Sequence, residues 1–170
     1  KRMNMVNQLI AAAIQYNFDG INVDFEALPQ EAGDAYVQFI RELSLKCENN
    51  GIILSVDNYV PMDYNLFYNR KEQANFADYV IIMGYDEHYA GSDEGSVASI
   101  GFVEKGIEES LKEVPAEQLI LAAPFFTRVW AEKPKEATDD VEAAAEDYVP
   151  YELSSQAVRM GEAWNMASVN

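Results

Sequence analysis

Residues 18–28 read FDGINVDFEAL, and within them Asn22, Asp24 and Glu26 interrupt an apolar, β-branched run at every second position. On a strand, alternate residues share a face. Three polar groups, two of them acidic, therefore line one side, with Ile21, Val23 and Phe25 on the other. Like charges on one strand face repel and desolvate one another, so folding alone gives no reason to place them there. A salt-bridged or capping pair at a strand end is the bland reading. The chemical reading is that Asp24 and Glu26 share a crowded space, which holds one ionised and pushes the other toward protonation.

Outward from this stretch, the chain alternates helix and strand signals. Residues 3–16 carry Val6, Leu9, Ile10, Ala13 and Ile14, a helical stripe, before the strand at 21–25. Pro29 and Gly33 break the chain ahead of a second helix over about 34–49, with Val37, Ile40, Leu43 and Cys47 on one face. Asn49-Asn50-Gly51 is a strong helix stop. A strand over 52–60 ends at Pro61, and a polar, aromatic connection over 62–77 is expected to hold a short helix. The run YVIIMG at 79–84 has the apolar character of a strand buried on both faces of a parallel sheet. A loop over 86–95 leads to a third amphipathic helix over about 97–113, ended by Pro115, and residues 119–126 give a fourth strand. Such alternation predicts an α/β fold with parallel strands and right-handed crossovers, whose sites lie at the strands' carboxyl edge. From about 132 the pattern fails: the acidic stretch to 152 reads as loop or partly disordered, with a helix over 153–167.

Composition bounds the function. The chain has 170 residues, enough for one well-buried domain, and 49% of them are hydrophobic. Twelve basic against 29 acidic residues give a net charge of −17. That balance speaks against nucleic acid as a partner, because phosphate neutralisation by Lys and Arg supplies most of that affinity, and against anionic lipid surfaces. No apolar run approaches membrane-spanning length. Cys47 is the only cysteine, so neither an internal disulfide nor a thiolate zinc cluster can form, and its helical position reads as a core thiol.

The third strand ends in Met83-Gly84-Tyr85-Asp86, delivering a phenol and a carboxylate to the same sheet edge as Asp24 and Glu26. A proton donor beside a fixed negative charge is what cleavage of a glycosidic bond needs. These residues also carry a resemblance. FDGINVDFE resembles the signature D-G-x-D-x-D-x-E of glycoside hydrolase family 18, IMGYD resembles that family's M-x-Y-D, and AAPFFTRVW resembles its P-F-Y segment followed by an Arg. The three occur in the family's order over most of residues 1–130. The wording is closest to bacterial spore-cortex and cell-wall N-acetylglucosaminidases.

The resemblance implies a partial (β/α)8 TIM barrel, about four parallel strands matching the family's strands four to seven. Residues 1–130 would be the catalytic part and 131–170 the start of an irregular insertion. It implies hydrolysis of β-1,4-linked N-acetylglucosamine polymers, peptidoglycan or chitin, by substrate-assisted retaining catalysis. Glu26 would be the acid and then the base, Asp24 would orient the substrate's 2-acetamido group, and Tyr85 would hydrogen-bond it. Asn22, Met83, Asp86 and Arg128 would contribute to substrate binding. No cofactor and no metal is called for. The location implied is extracellular, cell wall or spore. A catalytically silent, lectin-like sugar-binding member of the same fold is the alternative; such lectins lose the acid that Glu26 retains. A flavodoxin-like domain would want a phosphate-cradling loop after the first strand, and FEALPQ is not one.

Two positions depart from the family pattern. Asn22 stands where an Asp is usual, removing one negative charge behind Asp24, and Phe126 stands where a Tyr is common. Four strands are also too few for a barrel of about 250 residues, so the chain is expected to be a piece of a longer protein, with little turnover alone and a tendency to pair through bare half-barrel edges. His88, the sole histidine, reads as a loop-structuring or solvent-facing residue. A hard-cation site from Asp24, Glu26 and Asp86 is the minor reading there. Tyr59, Tyr64 and Tyr68 read either as a sugar-stacking groove or as aromatic packing beneath a loop.

Overall fold

A computed structural model describes residues 1–134 and 151–169, which divide into two compact units. The first comprises Lys1–Gly84 and Ile100–Ala123. It opens with helix α1 (Arg2–Tyr16), followed by strand β1 (Gly20–Val23), helix α2 (Gly33–Asn50) and strand β2 (Ile53–Tyr59). Then come α3 (Arg70–Ala74), β3 (Tyr79–Met83), α4 (Ile100–Ser110) and β4 (Leu119–Ala122). The strands form one sheet in the order β1-β2-β3-β4, every pair parallel. The alternation read from the sequence is thus the architecture.

Helix ends follow local chemistry. α1 stops at Asn17 and α2 at Gly51, both in the left-handed region at φ 53° and 66°. The amide beyond each cap returns to the last turn, Phe18 N–H to the Ala13 carbonyl and Ile52 N–H to that of Cys47, both at 2.9 Å. One face of the sheet carries the core. Val23, Leu54 and Val56 pack there against Val6, Ile10 and Ala13 of α1 and Phe39, Ile40, Leu43 and Cys47 of α2. Cys47 is a core thiol, as its sequence position indicated, and burial pushes it up to about 11. A second cluster joins Val60, Val80, Ile82 and Val114. Gly106 lets α4 come down onto this cluster, since a Cβ there would press against Val60.

The connection over 62–77 folds as a 3₁₀ turn (Asp63–Tyr68) and α3. Its buried polar residues hydrogen-bond to one another and to neighbouring elements. Asn58 and Gln73 exchange two amide hydrogen bonds at 2.7 and 3.1 Å, and the fully buried Arg70 reaches Asn65 and Glu113 at 3.3 Å each.

The other sheet face holds the residues at alternate positions, layer by layer along the register. Asn22 lies beside Ser55, Asp57 beside Ile81, and Tyr59 beside Met83. Toward the amino ends of the strands this face leaves Ile53, Tyr79 and Ile120 exposed by 48, 39 and 41%.

The second unit comprises Tyr85–Ser99 and Pro124–Asn170. Its described part contains an antiparallel hairpin of β5 (Phe126–Pro134) and β6 (Tyr151–Arg159), followed by α5 (Met160–Val169). This corrects two expectations. The fourth parallel strand ends at Ala122, and Phe126 belongs to β5 instead. Residues 151–159 are strand, so the helix expected from 153 begins only at Met160, where Glu162 caps it by accepting from Arg159 N–H at 2.9 Å. Most of the acidic stretch lies outside the described residues. No helix among those described is long and apolar enough to cross a membrane.

Candidate active site

The polar stripe of Asn22, Asp24 and Glu26 sits at the carboxyl edge of the parallel sheet, in the first unit. Regular pairing of β1 stops at Val23, two residues earlier than the expected end at 25. Asp24 and Glu26 therefore project from an irregular segment, and both are exposed. The segment is nonetheless fixed, because the Phe25 ring stacks against Tyr36 and Phe39 with centroids 5.9 and 5.5 Å away. The Tyr68 hydroxyl donates to the Phe25 carbonyl and accepts from Leu28 N–H, each at 3.2 Å.

Those anchors present Glu26 to Tyr59. The Tyr59 hydroxyl donates to the Glu26 carboxylate at 3.3 Å and accepts the Ala27 N–H at 3.2 Å. Ala27 itself is held at φ 52°, a left-handed conformation that costs a residue with a Cβ about 1–2 kcal/mol. Met83, opposite Tyr59 in the register, is 6% exposed. Of the three tyrosines left open by the sequence, Tyr68 is buried and, with Tyr59, packs beneath the 25–28 segment, whereas Tyr64 is 77% exposed.

Asn22 faces the same edge and is fully engaged. Its amide nitrogen donates to Asp57 Oδ2 at 2.9 Å, and its oxygen accepts from the Ser55 hydroxyl at 2.7 Å. Asp57 is a further candidate for the site, through its hydrogen bond with Asn22. Burial raises its carboxyl above the usual aspartate value; the Asn22 hydrogen bond opposes that shift, and the charge of Asp24 adds to it. The signal was present, since Ser55, Asp57 and Tyr59 repeat on β2 the period-two polar stripe of Asn22, Asp24 and Glu26. Tyr36, beneath, is raised mainly by burial, with contributions from Tyr68, Asp24 and Asp57.

The remaining expected site residues belong to the second unit. Tyr85 packs edge-on against Phe126 at 5.9 Å, and Asp86 adopts φ 58°. Arg128, on β5, donates to the Ser155 hydroxyl at 3.1 Å, while its Nε is buried without a hydrogen-bond partner. His88 structures its loop: its ring pairs with the Ser96 carbonyl at 2.9 Å and lies over Gly95, where no side chain would fit. Among the described residues, no group of three or more His, Cys, Asp or Glu side chains is placed to hold a metal ion.

Comparison with known proteins identifies the family and the fold. The family description Glycosyl hydrolases family 18 matches residues 1–168. The uncharacterized glycosylase YvbX of Bacillus subtilis is 31% identical over 137 residues, 76% of this chain and 39% of its own length. The cortical fragment-lytic enzyme of the same organism is 26% identical over 141 residues, 76% of this chain and 31% of its own length. The chain thus spans 31 to 39% of the length of these curated relatives. Among solved structures, a chitinase from Chromobacterium violaceum superposes with a TM-score of 0.77 at 23% identity, covering 96% of this chain and 47% of that one. The spore cortex-lytic enzyme SleL of Bacillus megaterium gives 0.76 at 19% identity, over 98% of this chain and 36% of that one. The four parallel β/α units are part of a TIM-barrel fold, and the chain belongs to glycosyl hydrolases family 18.

Proposed function

We propose that the protein of which these residues form part hydrolyses β-1,4-linked N-acetylglucosamine polymers, peptidoglycan or chitin, with retention at the anomeric carbon. The observation that carries this reading is the placement of Glu26. It stands at the carboxyl edge of a parallel sheet on an anchored segment, its carboxylate hydrogen-bonded by Tyr59. In this role Glu26 protonates the leaving oxygen and later takes the proton from the attacking water. The nucleophile is the substrate's own 2-acetamido oxygen, which closes onto the anomeric carbon as the glycosidic bond breaks. Asp24 orients that group and offsets the positive charge of the resulting oxazolinium. Tyr85 hydrogen-bonds the same group, Asp86 contacts the sugar, Asn22 and Met83 shape the floor, and Arg128 serves a neighbouring subsite. Action at a cell wall or spore fits this substrate class.

The test is hydrolysis of an N-acetylglucosamine oligomer by the full-length protein, with the first product followed by proton NMR. The β-anomer should form first, and a thiazoline analogue of the bicyclic intermediate should inhibit. An initial α-anomer would contradict acetamido participation. Tight oligomer binding with no turnover would make the protein a sugar-binding member of the family.

A further inference from the structure

The loss of an acid at position 22 leaves a question that β2 answers. The register sets Asn22 beside Ser55 and Val23 beside Val56. Asp24 follows Val23 and Asp57 follows Val56, and the charge of Asp24 acts on the Asp57 carboxyl. We propose that Asp57 replaces the carboxyl missing at position 22, supplying a buried, protonated carboxyl beside Asp24 at the sheet edge. This makes Asp57 a positioning residue, and its catalytic relevance rests on the hydrolase reading above.

Three features support the pairing. Asp57 Oδ2 is committed to Asn22 at 2.9 Å. Its Oδ1 is buried with no hydrogen-bond partner, so the free end of the carboxyl has unused capacity for a proton. Two neighbouring carboxyls do not ionise together cheaply, and the more desolvated of the two keeps the proton. Burial acts on Asp57 in that direction, and so does the Asp24 charge. The groups around Asp57 are few. Asp24 and the neutral Asn22 face it from the β1 segment, Ser55 and Tyr59 flank it on its own strand, the apolar Ile81 adjoins it from β3, and the Tyr36 hydroxyl feels its charge from α2. Asn22 is then no simple loss. Its amide grips Asp57 with one end and Ser55 with the other, where a second carboxylate would repel.

A carboxyl raised in the folded state binds its proton more tightly there than in the unfolded chain, so its stabilising effect fades as pH rises above the ordinary aspartate value. Asp57→Asn cannot ionise and should lose none of that stability with rising pH, so it serves as a folded control.

Two measurements on the full-length protein decide the proposal. The first follows the Asp57 carboxyl by carbon-13 NMR titration. Its midpoint should lie above that of an ordinary aspartate and fall in Asp24→Asn; a midpoint indifferent to Asp24 overturns the pair whether or not the enzyme is active. The second is the pH profile of hydrolysis. Asp57→Asn should lower kcat about tenfold with KM little changed, as for one lost charge-assisted hydrogen bond, and should remove one ionisation from the profile. The double variant Asn22→Asp with Asp57→Asn moves the carboxyl back to position 22 and should restore both. An unchanged profile in Asp57→Asn, or a double variant worse than either single one, overturns the positioning role. A wild type that turns over no substrate while Asp57 still responds to Asp24 overturns the hydrolase reading and leaves the pair standing.

Discussion

At the residue scale, Tyr59 does two things with one hydroxyl: it donates to Glu26 and accepts from the backbone of Ala27. Both bonds fix the acid relative to the sheet edge. Tyr59→Phe keeps the ring, and so its edge-on contact with Tyr68 at 6.0 Å, but drops both bonds. Its kcat should fall about tenfold, matching the loss of a hydrogen bond to a charged group, while the thermal midpoint moves little; an unchanged kcat would show that Glu26 needs no such support. The acids themselves were legible in FDGINVDFEAL, because alternation of polar and β-branched residues is a local pattern. Asp57 was not, although it sits in SVDNY with a comparable alternation. Its meaning depends on which residue of β1 lies beside it, and that neighbour, Asn22, is 35 residues away in the chain.

At the element scale, α2 carries the load of the core. Ile40 and Leu43 are fully buried between the helix pair and the sheet. Ile40→Ala should therefore cost about 2–5 kcal/mol, the range for truncating a buried aliphatic side chain, read from denaturant midpoints at constant slope. A cost below about 0.5 kcal/mol, the range of surface changes, would mean that α2 does not pack as described. The four parallel strands and the helices between them were readable because each helix had its own stripe and stop signal, as at Asn49-Asn50-Gly51. The β5–β6 hairpin was not. Its two strands are separated by residues 135–150 with no tight-turn signature, and YELSSQAVR is mostly exposed, so it lacks the apolar alternation that marks a half-buried strand. Only the pairing of Phe126 with Arg159 through to Pro134 with Tyr151 identifies them as partners.

At the scale of the whole molecule, β1 and β4 are the outer strands of the described parallel sheet, and Ile53, Tyr79 and Ile120 lie exposed on its polar-edged face. Unpaired edges and exposed apolar side chains favour association, while a net charge of −17 opposes it. The isolated 170-residue chain should therefore self-associate, more strongly as salt screens that charge. Light scattering at micromolar concentration should give a mass above the 19.1 kDa of one chain, rising with added salt. A clean monomer at every ionic strength would contradict this. The isolated chain should also turn over little substrate, because much of an enzyme's rate comes from positioning the substrate.

The role of Glu26 as the acid of a hydrolase is tested most directly by the rate at which the full-length protein releases the dye from a fluorogenic N-acetylglucosamine oligomer, wild type against Glu26→Gln. The wild-type rate should fall by roughly a hundredfold to ten-thousandfold in the variant, the contribution of a positioned general acid, with oligomer binding retained. Equal rates in the two proteins would contradict it and move the chemistry to another residue.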